Sequence, residues 1–267
     1  MNAEKKDQGR SCKPFKFDLA LSVLSAFICV LLLCAVCPAQ IHPHSFSPRQ
    51  LGIMQAWYRA DAITSLADGD PVASWVDSTA NARTLAQSTA DYRPAYKVSI
   101  QNGRPAIRFD GLDDWVSGAF GGSLKFTVFS VQRPEIFALS ETIYLVPSPA
   151  RNLWGKWLNS VTLHFGFWSA EGYSDYYPSH TPSMTTPEMW TLFYDQSSWR
   201  LWIDGNALAP QADTKVPGLG TIVQVGGWVG LSRYWDGDIF ELAFFAEALS
   251  DRDRQRVERY LARKWGL

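Results

Sequence analysis

Alternate carboxylates on one strand project together, and in glycosidases such a pair serves as nucleophile and acid/base. The nearest approach to that pattern here is Asp236-Gly-Asp-Ile-Phe-Glu241. The spacing from Asp238 to Glu241 is odd, which on a regular strand sends Glu241 to the opposite face. Asp236-Gly237 reads as a turn, and Glu241 as a buried or edge carboxylate answered by a basic partner. A Ser/His/Asp triad has little to draw on. Beyond His42 and His44 the histidines are His164 and His180, and His164 alternates with Leu163 and Phe165 like a hydrogen-bonded structural residue. A glycoside hydrolase or polysaccharide lyase with an unrecognised site stays open as an alternative to binding.

Asp110, Asp113 and Asp114 offer hard oxygen ligands within one turn, with Asp77 as a further candidate. Such a set suits Ca²⁺, which takes oxygens from carboxylates and loop carbonyls. The other reading of the same residues is an Asx turn, in which Asp side chains bind their own backbone amides.

Aromatics are the richest feature, with twelve Trp in the chain. Trp154, Trp157, Trp168, Tyr173, Tyr176, Tyr177, Trp228, Tyr234 and Trp235 lie in or beside polar, Gly- or Pro-containing segments. A sugar presents an apolar C–H face that stacks on an aromatic plane, while its hydroxyls pair with Asn, Asp or Arg. These nine are the carbohydrate candidates. Trp57, Trp75, Trp115, Trp190, Trp202 and Trp265 fall in strand or helix patterns and read as core.

The elements that must carry these residues follow from punctuation and periodicity. Short β-branched and aromatic runs recur between Gly, Pro, Asn and Asp clusters: 56–59, 106–109, 126–131, 190–194, 199–203, 221–225 and 239–245. This spacing predicts an all-β fold, a sandwich or barrel and not a βαβ protein. Both alternating sets of 126–131 are apolar, as in a strand covered on both faces. One helix is expected, at the C-terminus. Ser250 is its N-cap, Asp251 and Asp253 lie in the first turn, and Val257, Tyr260, Leu261 and Trp265 form one apolar stripe that Gly266 ends. Its arginines read as a solvated face.

Residues 1–39 read as a signal peptide or N-terminal signal anchor, with basic residues before an apolar run from Leu19 to Cys37. Residues 40–54 read as linker and 55–267 as the domain. All four cysteines precede residue 38, so a domain cleaved after Ala39 would hold no thiol and no disulfide. The expected location is secreted or in the cell envelope, with membrane contact only through an uncleaved N-terminal segment. A formal charge of −1 and a pI near 6.4 provide no basic field for a nucleic acid.

An ordered set of motifs resembles a known family. It comprises Trp75-Val-Asp77 with Asn81, Arg93-Pro94, Asn102-Gly-Arg-Pro-Ala-Ile-Arg-Phe-Asp-Gly111 with Asp113-Asp114, and Phe126-Thr-Val-Phe129. Leu201-Trp-Ile-Asp-Gly205, Gly226-Gly227, Asp236–Glu241, Ala248-Leu-Ser250 and Tyr260–Leu267 follow in the same order. Together they resemble the LamG-like jelly-roll modules of exported bacterial proteins, in the concanavalin A-like lectin/glucanase superfamily. The resemblance implies a two-sheet antiparallel jelly-roll sandwich with a C-terminal α-helix, and related lectin-like domains hold calcium in loops. The family has a Ser-Gly-Asn-Gly loop after the Asp matching Asp77, whereas this chain reads Ser78-Thr-Ala-Asn-Ala82, which implies a differently shaped loop. The expected function is a non-catalytic recognition module whose partner is a glycan or an extracellular protein. A structural or adhesion protein without a small ligand is a further alternative.

Overall fold

A computed structural model describes residues 46–136, 142–146, 153–159, 161–218 and 220–267. The expected signal segment and all four cysteines lie outside the described residues. Among those residues no helix is long and apolar enough to cross a membrane. In chain order the strands are β1 (Met54–Arg59), β2 (Ser74–Trp75), β3 (Leu85–Ala86), β4 (Ala95–Gln101), β5 (Arg104–Asp110), β6 (Val116–Ala119) and β7 (Phe126–Pro134). Then come β8 (Thr142–Val146), β9 (Leu153–Asn159), β10 (Thr162–Ser169), β11 (Gly172–Tyr176), β12 (Glu188–Tyr194), β13 (Ser198–Ile203), β14 (Asn206–Ala207) and β15 (Gln211–Ala212). β16 (Ile222–Val225), β17 (Gly227–Trp228), β18 (Arg233–Tyr234), β19 (Asp236–Phe245) and the helix α1 (Asp251–Trp265) complete the set.

The strands form two antiparallel sheets. The larger runs β14-β13-β12-β7-β19-β5-β4, with β1 also on β19 and β15 on β13; the other runs β11-β10-β9-β8-β16-β6-β3-β2. β17 and β18 make a separate hairpin. Ile107, Phe109, Val128, Leu192, Ile239 and Phe244 of the larger sheet pack in one core with Val116, Leu163, Phe165, Phe167, Val223 and Val225 of the other. The fold is therefore an antiparallel β-sandwich with a C-terminal helix.

The larger sheet is buried on its outer face too. Phe129, Val131, Phe240, Ala243 and Phe245 lie there under Val257, Leu261 and Trp265 of α1. This is the two-sided burial that the apolar alternation of 126–131 predicts. Residues 46–53, read above as linker, include Phe46, Leu51 and Ile53, which pack on this outer core, and a 3-10 turn at Pro48–Leu51. The helix starts as its sequence signals: Ser250 Oγ accepts from the Asp253 amide, and Gly266 at φ 71° ends it. Its basic residues depart from expectation. Arg254 and Lys264 are buried, and Arg256 is only half-exposed, paired to Asp253 at 3.0 Å and 4.3 Å above the Phe46 ring.

Strand β19 corrects two expectations. Asp236 and Gly237 begin the strand, paired with Asp110 and Phe109, and do not form a turn. The register also shifts between Ile239 and Glu241 against β7, a bulge at Phe240. A bulge adds one residue and resets the alternation. Glu241 therefore shares the outer face with Asp238 and Phe240, where regular alternation would have opposed them.

Candidate functional site

Asp238 and Glu241 of β19 lie on the outer face of the larger sheet, Glu241 against α1 and Asp238 between arginines of β5 and β7. Asp238 is buried and accepts from Arg108 Nε at 2.8 Å and Arg133 Nη2 at 2.5 Å. Glu241 is buried and accepts from Trp57 Nε1 at 2.6 Å, Trp265 Nε1 at 2.8 Å and Lys264 Nζ at 2.6 Å. The basic partner expected for Glu241 is thus Lys264. Both groups are enclosed and neutralised, so neither can reach a glycosidic oxygen.

Three of the four exposed aromatics among the described residues, Trp168, Tyr173 and Tyr177, gather at one hairpin, the fourth being Tyr92. β10 and β11 join through a two-residue turn at Ala170-Glu171, with Trp168 opposite Tyr173 and Gly166 opposite Asp175. Leu163, Phe165 and Phe167 point into the core, so His164, Gly166 and Trp168 occupy the outer face of the smaller sheet. Trp168 and Tyr173 meet with ring centroids 4.4 Å apart, and His164 stacks on Tyr177 at 4.4 Å and 23°. His164 Nε2 and Asp175 Oδ1 are hydrogen-bonded at 2.7 Å, the structural bond expected of this histidine. Burial and the nearby Asp175 raise the proton affinity of the Tyr177 phenol.

The result is a platform: two aromatic pairs flank a glycine floor, with a carboxylate between them. Four residues of strand separate His164 from Trp168, roughly 13 Å. Trp168, Tyr173 and Tyr177 are 44%, 54% and 48% exposed, high values for such rings. β11 is the last strand of its sheet, and Gln211 Nε2 donates to the Asp175 carbonyl along that edge.

Other sequence candidates take different places. Tyr176 (2% exposed) and Trp235 (0%) are core residues: Tyr176 lies against Phe165 and Trp199, and Trp235 is in the inter-sheet core. This corrects their reading as ligand contacts, because the strand alternation that exposes Tyr177 buries Tyr176. Trp154 and Trp157 stand in β9 opposite Gly166 and Leu163, with side chains outside the described residues. Trp228 and Tyr234 are half-exposed in the β17–β18 hairpin, with Arg233 5.7 Å above the Trp228 ring.

The acidic turn sits beside that hairpin. Asp110, Asp113 and Asp114 each offer a carboxylate oxygen, and these lie within 4.8 Å of one another. The Asx turn is present as well: Asp110 Oδ1 accepts the Leu112 and Asp113 amides at 2.9 and 3.3 Å, and Asp114 Oδ2 accepts the Asp110 amide at 3.1 Å. Burial, then the charge of Asp110, pushes the Asp114 carboxyl up to about 7. A divalent cation would relieve that crowding, and each carboxylate keeps acceptor capacity for one, so the residues fit Ca²⁺. Tyr234 joins the corner, since Gly227 lies so close that a Cβ there would come 2.7 Å from its ring and 3.5 Å from the Asp114 carbonyl oxygen.

Asp77 does not belong to this cluster, contrary to its candidacy as a fourth ligand. Its Oδ1 accepts the amides of Trp57 and Thr79, and its Oδ2 accepts Thr79 Oγ1 and the Arg83 amide. Asn81 Nδ2 donates to the carbonyls of Met54 and Gln55. The loop without glycines is thus a backbone clamp on β1.

Comparison with solved structures returns β-sandwich domains. The ligand-binding domain of botulinum neurotoxin serotype D, solved with N-acetylneuraminic acid, matches with a TM-score of 0.58 at 11% identity over 80% of this chain and 53% of its own. The binding domain of Paraclostridial Mosquitocidal Protein 1 matches at 0.55 and 11% identity, over 76% of this chain and 53% of its own. Domain 4 of AbnA, a GH43 extracellular arabinanase from Geobacillus stearothermophilus solved with arabinotriose, matches at 0.52 and 16% identity, over 77% of this chain and 97% of its own. The chain spans about half the length of the two toxin chains. At these identities the likeness is one of fold. No family model and no curated protein matches the sequence.

Proposed function

We propose that this chain is a non-catalytic, LamG-like carbohydrate recognition module of a secreted or envelope protein, delivered by its N-terminal signal segment. The observation that carries the reading is the exposed Trp168–Tyr173–Tyr177 platform around Asp175. Exposed stacking rings with a polar group between them are what the C–H face and hydroxyls of a sugar require. Two sandwiches of the same fold were solved with sugars, which supports the class of ligand. The enzyme alternative loses its best carboxylate pair, because Asp238 is buried between Arg108 and Arg133 and Glu241 under the helix.

A second reading rests on the acidic corner, where calcium held by Asp110, Asp113 and Asp114 would present a sugar hydroxyl to Tyr234. A glycan array on residues 40–267, read with and without EDTA, tests both. Binding that survives EDTA and disappears in Trp168→Ala supports the platform. Binding abolished by EDTA moves the site to the corner, and no binding to any glycan refutes both.

A further inference from the structure

A second cleft lies where the Asp77 loop clamps β1. It measures ≈ 350 Å³ and is walled by Gln55, Asn81, Arg83 and Glu247 among others. Gln55 and Ala246 also line a narrow slot of ≈ 30 Å³ between Phe120, Phe126, Val128 and Phe244. The polar cleft and the apolar slot therefore adjoin. A water occupies about 10–15 Å³ on this measure, so the slot admits a methyl or acetyl tip and no ring.

Arg83 is the distinctive group of this cleft. Its guanidinium is half-buried, and among the described residues it forms no ion pair. Its Nη1 donates to the Gln55 carbonyl at 3.0 Å and to Gln55 Oε1. Those two bonds hold the plane still and leave Nη2 available. Gly121, a lining residue of the slot, makes room for it: a Cβ there would lie 2.8 Å from both Nη atoms. Glu247, the acid of the same cleft, is exposed and makes no ion pair with it.

A preorganised guanidinium without a carboxylate partner is a receptor for a carboxylate. We propose that this cleft binds a sugar acid carrying a short apolar substituent: the carboxylate pairs with Arg83, and the substituent's methyl enters the slot. The ring lies in the polar cleft, beside the side chains of Asn81 and Gln55. This site is separate from the aromatic platform and does not depend on it.

N-acetylmuramic acid has both features, N-acetylglucosamine lacks the carboxylate, and glucuronic acid lacks the apolar substituent. Titration of the full chain by calorimetry, with saturation-transfer NMR on the sugars, should show N-acetylmuramic acid binding at least tenfold tighter than either. Its methyl protons should receive the strongest saturation. Arg83→Gln should weaken it at least tenfold and Arg83→Lys less. Val128→Ile, which fills the slot and leaves the clamp intact, should weaken N-acetylmuramic acid while leaving glucuronic acid unchanged. Trp168→Ala should change nothing. The proposal is overturned if N-acetylmuramic acid does not bind at millimolar concentration, if the three sugars bind alike, if both Arg83→Gln and Val128→Ile keep wild-type affinity, or if Trp168→Ala abolishes binding.

Discussion

Trp265 donates its indole N–H to Glu241 across the outer face of the larger sheet, at 2.8 Å and 24 positions apart in sequence. Trp57 and Lys264 donate to the same carboxylate. One buried carboxylate thus joins the first strand, strand β19 and the final helix. Removing its one charged partner, Lys264, would leave the carboxylate buried without a countercharge, which costs about 3–5 kcal/mol.

Trp265→Ala removes both this hydrogen bond and an indole that is fully buried against Phe240. It should lower stability by about 3–5 kcal/mol, whereas Arg252→Ala, on the exposed face, should stay within about 0.5 kcal/mol of wild type. Urea unfolding of the two variants checks this, and equal midpoints would mean that the helix is not docked.

On the platform, one stacked ring contributes on the order of 1–2 kcal/mol, so Trp168→Ala or Tyr173→Ala should weaken glycan binding roughly tenfold or more. Melting temperature should hardly move, since both rings are exposed. Tyr176→Ala and Trp235→Ala are the contrasting pair, and they should destabilise strongly because both rings are core. Loss of stability in Trp168→Ala would contradict its placement.

The Asp114 carboxyl is pushed up to about 7 in the fold, by burial and by Asp110, against an unfolded value near 3.9. A raised folded pKa means that the folded state holds the proton more tightly. Its stabilising contribution is complete below about pH 4 and is lost as pH rises through about 7. Asp114→Asn should flatten the thermal stability profile across that window. Calcium should raise the melting temperature of wild type at pH 8 and not that of Asp114→Asn; no response in wild type would remove calcium from this corner.

Ala82 occupies the left-handed region at φ 52°, a conformation that favours glycine. A side chain there costs on the order of 1 kcal/mol, partly offset by the entropy glycine loses on folding. Ala82→Gly should therefore leave stability unchanged or raise it by up to about 1 kcal/mol. A clear fall in melting temperature would show that the Ala82 methyl packs.

How far this molecule is legible in its sequence depends on the range of the forces involved. Strand periodicity, the Ser250 cap, the Val257–Trp265 stripe and the two-sided burial of Phe126–Val131 are set by neighbours a few residues away, and all appear in the fold. The platform was half-legible: Trp168, Tyr173 and Tyr177 could be chosen for their polar surroundings. The alternation His164-x-Gly166-x-Trp168 against Tyr173-x-Asp175-x-Tyr177 across a two-residue turn was the signal that would have added His164 and Asp175 and removed Tyr176.

By itself the sequence determined an all-β sandwich closed by one amphipathic helix, because period and capping are local properties of the chain. Only the tertiary structure decided which polar groups were already committed. The bulge at Phe240 brought Glu241 onto the face of Asp238, and long-range partners neutralised both. Backbone amides on β1 and in its own loop engaged Asp77, while Arg83 was left without a carboxylate beside a slot formed from distant segments. Such outcomes turn on contacts between residues far apart in sequence, where the register of one strand settles which charges meet.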